Sequence, residues 1–472
     1  MKFSSIRNRG LLLGLSLLVS LLTAAQTGEY SPYSRFGIGS LQPGVMSSHL
    51  GMGGVSTPIN DPHTINPANP ATYASLANPT FQVGVRSVFV TQSDQNQSQN
   101  LNFSSLNNLN FAFPFGKSRW TLGFGLMPYS RVGYNLISTT STDAGDVDFI
   151  YTGEGGLNKA YLGLAKGIEI KKTIIVKDST GAPIDTVKQT KHLISAGTNF
   201  DYFFGALTRT RRVEFNNTDY FNSRFSNTTK LQNPGFDFGV HYFTNLLEKR
   251  EKAELKKRVN LRAGFTFSPE IKLNSDVTEL GESFKYTGGS IRVVDTSYFA
   301  QGLNGTTYIP QSYSGGLSLE IINAKDNNIT VGFDYKFQEW SGYKVELYDE
   351  TITDPLLTDA SQLSAGIEYT PRYFSKPNQG FFQVLRYRMG YRQTNSYLQI
   401  DGQQLNENAI TAGFTLPLEV SRSSSRINFG MEFGTRGNKS PGFVEEKFIN
   451  LQLGIVMTPY YRSGWFIKSK YD

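Results

Sequence analysis

The sequence predicts an all-β protein, a transmembrane antiparallel β-barrel of about fourteen strands with an N-terminal hatch, or plug, in its lumen. Three observations predict it. The chain starts with a secretory leader, most of the remainder alternates apolar and polar residues with period two, and a non-alternating stretch rich in Gly, Pro and Asn precedes the first alternating run.

The leader comes first. Lys2, Arg7 and Arg9 form a positive start, and residues 11–22 are apolar except for Gly14, Ser16 and Ser20. Thr23-Ala24-Ala25 then offers small residues for cleavage before Gln26. The alternative, a transmembrane anchor, needs about 20 apolar residues and a stop-transfer pattern, and neither follows. An exported chain without a helical anchor is periplasmic, extracellular or an outer-membrane barrel. The outer membrane of a Gram-negative bacterium is the expected location.

The alternating runs point to the barrel. Ile329, Val331, Phe333, Tyr335 and Phe337 alternate with Thr330, Gly332, Asp334 and Lys336. Trp120, Leu122, Phe124 and Leu126 alternate with Thr121, Gly123 and Gly125. Ile449, Leu451, Leu453, Ile455 and Met457 alternate with Asn450, Gln452 and Gly454. The pattern recurs at residues 261–267, 317–321, 410–416 and 427–433. Many runs reach about nine residues, close to what a tilted spanning strand needs. A half-buried soluble strand alternates too, but about fourteen such runs without a helical pattern between them would be unusual in a soluble sandwich. Polar positions carrying Asp, Lys, Arg and Gln suit a wet lumen.

Composition agrees. A mean hydropathy of −0.32 would ordinarily indicate a soluble protein, yet a barrel turns every second residue toward water. The 34 Phe and 25 Tyr suit aromatic girdles, and the 46 Gly suit close strand contacts. With no Cys there is no disulfide, thiolate nucleophile or lipoprotein acylation site. The net charge of +7 falls to +4 without the three leader positives, too little and too scattered for nucleic acid.

Connections are expected at Gly116-Lys117 as a tight turn and at residues 138–156, 172–190 and 210–233 as long polar outer loops. Residues 92–105, rich in Gln, Asn and Ser, read as a hydrophilic loop or turn, and the charge run at 248–257 as a solvated loop helix. The expected division is residues 1–25 as signal peptide, 26–79 as hatch and 80–472 as barrel. The hatch stretch contains Gly51, Gly53 and Gly54, then Asp61, then the turn Asn66-Pro67-Ala68. Such residues favour turns and short helices. Irregular backbone at membrane depth is tolerated only inside protein or a wet cavity, which a plug satisfies.

The chain resembles the FadL/TodX family of outer-membrane transporters for long-chain fatty acids and other hydrophobic compounds. Three stretches carry the resemblance. They are the glycine-rich start and Asn-Pro-Ala turn within residues 51–68, Ile309-Pro310-Gln311-Ser312 ahead of a strand, and Glu339-Trp340-Ser341-Gly342-Tyr343 at a strand end. The resemblance implies a fourteen-stranded barrel with a hatch and passive uptake of hydrophobic molecules. It also implies a sideways exit through a kink in the third strand, here about residues 118–136. That strand contains Pro128 and Gly133, the candidates for a lateral opening, because Pro cannot donate a ladder hydrogen bond. The plainer reading is that Pro128 ends the membrane part of the strand. The extra stretch from Tyr30 to Gly37 and the Lys470-Tyr471-Asp472 end, with Trp465 and Phe466 close by, depart from the family pattern, and no ligand-pocket residue can be matched.

No catalytic motif is present, and His49, His63, His192 and His241 lack metal-ligand spacing, so neither metal nor cofactor is expected. Uptake of hydrophobic small molecules or lipids across the outer-membrane bilayer is the leading expectation. A non-transporting barrel that binds protein partners of a secretion system is the second, as in some members of that family, and a barrel-embedded hydrolase the third. Gly51, Gly53, Gly54, Asp61 and the Asn66-Pro67-Ala68 turn are expected to shape the hatch, a role ordinary turn chemistry would also explain. Pro310, Ser312, Trp340 and Ser341 mark the family strand motif.

Overall fold

A computed structural model describes residues 31–459 except 43, 116–118, 144, 178–182, 218, 252–253, 325–326, 349, 373–379, 421–422 and 441. The leader, Tyr30, the Gly116-Lys117 turn and the C-terminal Trp465, Phe466 and Tyr471 lie outside the described residues.

The chain forms a closed fourteen-stranded antiparallel barrel. The segment before the wall holds one short strand, β1 (Ser40–Leu41). The wall begins with β2 (Thr80–Ser93), β3 (Ser98–Phe115), β4 (Trp120–Pro128), β5 (Ser130–Thr142), β6 (Gly145–Lys177) and β7 (Pro183–Phe215). It continues through β8 (Asn222–Glu251), β9 (Glu254–Ser268), β10 (Ile271–Thr287), β11 (Ser290–Ile309), β12 (Ser312–Asn323) and β13 (Asn328–Gln338). A small ribbon, β14 (Lys344–Leu347) and β15 (Glu350–Thr353), leans on β11. The wall ends with β16 (Ala360–Thr370), β17 (Arg386–Ile400), β18 (Gln403–Val420), β19 (Ser423–Arg436) and β20 (Glu445–Met457), and β20 pairs with β2 to close it. Three wall strands are broken in two, between β4 and β5, β9 and β10, and β11 and β12. Each break falls at a proline, Pro128, Pro269 and Pro310, where a ladder donor is missing.

Alternation sets the faces. In β13, Asn328, Thr330 and Asp334 are buried inside, while Val331, Phe333 and Tyr335 are 45–49% exposed outside. Such a row is costly in water and stable against hydrocarbon. β2 starts and β20 finishes at one end of the barrel. The other end carries the tall β5–β6 and β7–β8 pairs and the connection from Gln338 to Ala360 with its β14–β15 ribbon. The taller, more elaborated end is the outer one, so the end where β2 starts is the periplasmic end.

Several connections differ from expectation. Residues 94–97 form a turn within the stretch 92–105, as expected, while 92–93 and 98–105 are the facing ends of β2 and β3. Residues 248–251 and 254–257 fall in β8 and β9, not in a helix. Residues 138–142 with 145–156, and 210–215 with 222–233, belong to the tall strand pairs β5–β6 and β7–β8 at the outer end. Residues 172–177 and 183–190 lie in the β6–β7 pair at the opposite, periplasmic end. Polar alternation hides a strand that rises past the membrane, because both of its faces meet water.

Candidate functional site: the plugged lumen

The segment before β2 lies inside the ring and touches the wall nearly all round. Its fit depends on glycines that face inward at one level. In ladder register these are Gly84 with Gly454, Gly413 with Gly430, Gly332 with Gly366 and Gly390, Gly264 with Gly316, Gly197 with Gly239, and Gly123 with Gly163. A methyl group on Gly316 would lie 2.6 Å from Pro58 Cδ, on Gly197 2.6 Å from the Pro70 carbonyl carbon, and on Gly430 2.7 Å from Ser47 O. On Gly264, Gly366 and Gly390 it would collide with the backbone of Thr57, Met52 and Gly53. The missing side chains let hatch backbone press directly on wall backbone.

The sequence-predicted hatch residues come together here. A single-turn helix, α1 (Ser47–Leu50), ends at Gly51. Gly53 and Gly54 follow with φ of 70° and 86°, the left-handed region glycine enters without strain. The Gly53 N–H donates to Thr411 Oγ1 at 2.8 Å. Asn66 braces the loop by donating to Ser56 O (2.8 Å) and Ile59 O (3.1 Å), and Pro67 and Ala68 line a cavity. Asn69 caps the following 3-10 turn, Pro70–Ser75.

Two carboxylates fasten hatch to wall in opposite senses. Asp61 of the hatch sits between Arg386 (2.8 Å) and Arg426 (2.7 Å), and Arg426 also lies 2.9 Å from His63 Nδ1. Burial would raise the Asp61 pKa, but the two arginines hold it well below the ordinary value. Asp334 of β13 accepts the N–H groups of Ser56 (2.9 Å) and Thr57 (2.8 Å). His49 of α1 is buried, and burial, reinforced by Arg388, lowers its pKa to about 4. It is neutral at pH 7.

A strap, residues 31–42, closes the outer half of the lumen. Ser31 N and Ser34 Oγ donate to Gly133 O at 2.7 and 2.9 Å, and Gly133 N donates back to Ser34 Oγ. The Tyr33 hydroxyl donates to Val444 O (2.6 Å) and accepts from Val444 N (2.9 Å). Arg209 and Tyr397 donate to Gly37 O and Gly39 O, each at 2.6 Å. Trp340 is fully buried above the strap and stacks on Tyr397 at 4.5 Å, in a core with Ile38, Leu357 and Phe443. Ser341 instead caps a loop through Asp359 (2.6 Å), and Gln338 donates to Pro310 O at 3.0 Å.

Between strap and hatch lies a cavity of about 350 Å³, bordered by Leu41, Pro67, Pro128, Ser312 and Lys336. Its wall is laced with ion pairs. Lys159 lies between Asp237 (2.7 Å) and Asp201 (3.4 Å), Arg392 meets Glu407 and Glu432, and Arg436 meets Glu407 (2.7 Å). These groups, Asp334 and the glycine ring were missed from sequence. The inward glycines were visible as letters, but their common level shows only once the register is known. None of the four histidines is hydrogen-bonded through its ring to a serine among the described residues.

At Pro128 the wall parts. β3 pairs with β4 only over residues 109–115 of β3, and an irregularity at Asn107 shifts its register against β2. Beyond Tyr129 the third wall strand continues as β5, which pairs with β6 and with the strap strand β1. Pro128 and Gly133 thus flank the place where β5 leaves β3, and the strap fills the inner side.

Fold and lumen define a closed fourteen-stranded β-barrel with the chain's N-terminal segment inside the ring. Solved relatives share this fold. The toluene transporter TbuX of Ralstonia pickettii matches with a TM-score of 0.52 at 13% identity, covering 89% of this chain and 99% of that one. The toluene transporter TodX of P. putida matches with a TM-score of 0.52 at 14% identity, over 89% and 99%. No curated protein sequence matches. The BamG family model matches residues 7–178 and 185–472, and the chain belongs to the BamG family.

Proposed function

We propose that this protein is a closed outer-membrane barrel that acts as a binding subunit for protein partners in the envelope, not as a conduit. One observation carries the reading: the lumen is shut twice, by a hatch pressed backbone to backbone on the wall and by a strap buried under a separate aromatic core. A solute would have to displace both. Ion pairs run along the wall of the space between them, whereas a pocket for a long hydrocarbon is mostly apolar. The test has two arms. The affinity-tagged chain, extracted in mild detergent, should bring a partner in fixed ratio. The purified chain in liposomes should neither conduct ions nor speed entry of radiolabelled oleate. A lone chain that takes up oleate refutes the reading.

The cavity beside Pro128 favours a second reading, passive uptake of hydrophobic molecules such as long-chain fatty acids with exit through the wall gap. It requires the strap to move aside as ligand enters.

A further inference from the structure

The strands that rise past the outer end form one sheet, in the order β5, β6, β7, β8, β10 and β11. Above the strap strand β1 and the β14–β15 ribbon, no described strand lies against either edge of it. The β11 edge is guarded. Its register against β10 shifts at three places, and bulges turn an edge away from further pairing. The β5 edge is not guarded. β5 pairs with β6 from Val132 to Thr142 without a shift, and residues 135–141 include no proline and no charged side chain. Gly133 turns both its N–H and its C=O to the strap, on the side away from β6. Period two puts the N–H and C=O of Asn135, Ile137, Thr139 and Ser141 on that same side, and all four residues are exposed. The flank of this edge is acidic and stands in water. Asp146 and Asp148 of β6 accept hydrogen bonds from Ser141 and Thr139, each at 2.6 Å, and Asp143 lies at the tip. Among the described residues no Lys or Arg pairs with any of the three.

We infer that the β5 edge docks an extended, basic segment of a different polypeptide outside the cell, as one more strand of this sheet. Only a polypeptide offers donors and acceptors at the spacing of a β-ladder, about 3.3 Å per residue. Its Lys or Arg side chains reach over the short Thr139 and Ser141 toward Asp148 and Asp146, about 10 Å away across two strand spacings. A second copy of this chain would bring its own β5, which carries no cation over residues 135–141 to meet those carboxylates. The inference deepens the binding-subunit reading and rests on it.

The test follows amide hydrogen exchange at Ile137, Thr139 and Ser141, in native outer-membrane vesicles and in the purified lone chain in dimyristoyl phosphatidylcholine vesicles. The three amides should exchange roughly 100-fold more slowly in native membranes, while β18 and β19 behave alike in both. T139P removes one N–H on the free side and spares the β6 ladder. It should stay folded by heat-modifiable gel mobility and lose the extra protection at Ile137 and Ser141, whereas T139A should keep it. D146N/D148N, which changes only exposed charge, should reduce that protection about tenfold. A photo-crosslinker at Ile137 should join a different polypeptide. Equal exchange in the two preparations overturns the inference, as does protection that survives in both T139P and D146N/D148N. Crosslinking only to lipid or to another copy of this chain overturns it too. If a partner co-purifies in fixed ratio while these amides exchange equally, only this inference fails. Oleate uptake by the purified chain would instead remove the binding-subunit reading beneath it.

Discussion

Two adjacent glycines on β12 allow a direct test of how the hatch is seated. Gly316 faces the lumen, where an added methyl would lie 2.6 Å from Pro58 Cδ and 2.7 Å from Phe333 O. Gly315 faces outward, and its nearest neighbour would be Phe265 at 3.9 Å. Ordinary carbon contacts begin near 3.5 Å, so alanine at 316 must push hatch or wall by about 1 Å. Overpacking of this kind costs about 1–3 kcal/mol. The entropic gain from replacing glycine, about 0.4–1 kcal/mol, is common to both sites and cancels in the difference. G316A should therefore be about 2 kcal/mol worse than G315A in hatch seating, roughly 30-fold in the equilibrium. Arg35 is the one tryptic site in residues 31–79. Its cleavage rate in the folded, reconstituted barrel reports release of strap and hatch. G316A should be cut about 30-fold faster than G315A while both remain heat-modifiable. Equal cutting rates would refute the claim that the glycine ring seats the hatch.

Other expectations use the same readouts. R426Q removes one of the two arginines that hold Asp61 and should loosen the hatch by about 3 kcal/mol; adding D61N should restore part of the loss, which cutting at Arg35 would show. D334A leaves two buried hatch N–H groups without an acceptor and should cost about 3 kcal/mol, whereas D334N, which keeps an acceptor oxygen, should cost less. His49 has a folded pKa of about 4, below its unfolded value near 6.5. Between those limits the unfolded state binds more protons, so stability is full above pH 6.5 and falls by up to about 3 kcal/mol toward pH 4. Asp61 adds no slope in that window, because its lowered pKa places its loss in stronger acid. Urea midpoints of wild type and H49Q from pH 7.5 to 4.5 check this, and H49Q should be flatter.

The barrel was legible because each spanning strand announces itself locally. Val331, Phe333 and Tyr335 must face lipid whichever strand stands beside them. The segment before the wall stood out by contrast, since residues 26–79 break the alternation and carry turn formers. Residues 98–105, 248–251 and 254–257 misled for a related reason. They are strands whose outward positions are partly polar, so hydropathy gave no cue and only the neighbouring ladder holds them extended. Trp340 and Pro310 were singled out by resemblance. The structure gives Trp340 a place in the core above the strap, while Pro310 marks a break in the wall.

The amino-acid order by itself determined which segments become strands, which side of each meets lipid, and that the chain before Thr80 does something else. Tertiary structure alone decided that the lumen is closed. Asp61 reaches Arg426 across 365 positions, and Tyr33 reaches Val444 across 411. Side-chain period belongs to a single strand and survives in isolation, whereas a common level for glycines on thirteen strands exists only after register and closure have aligned them.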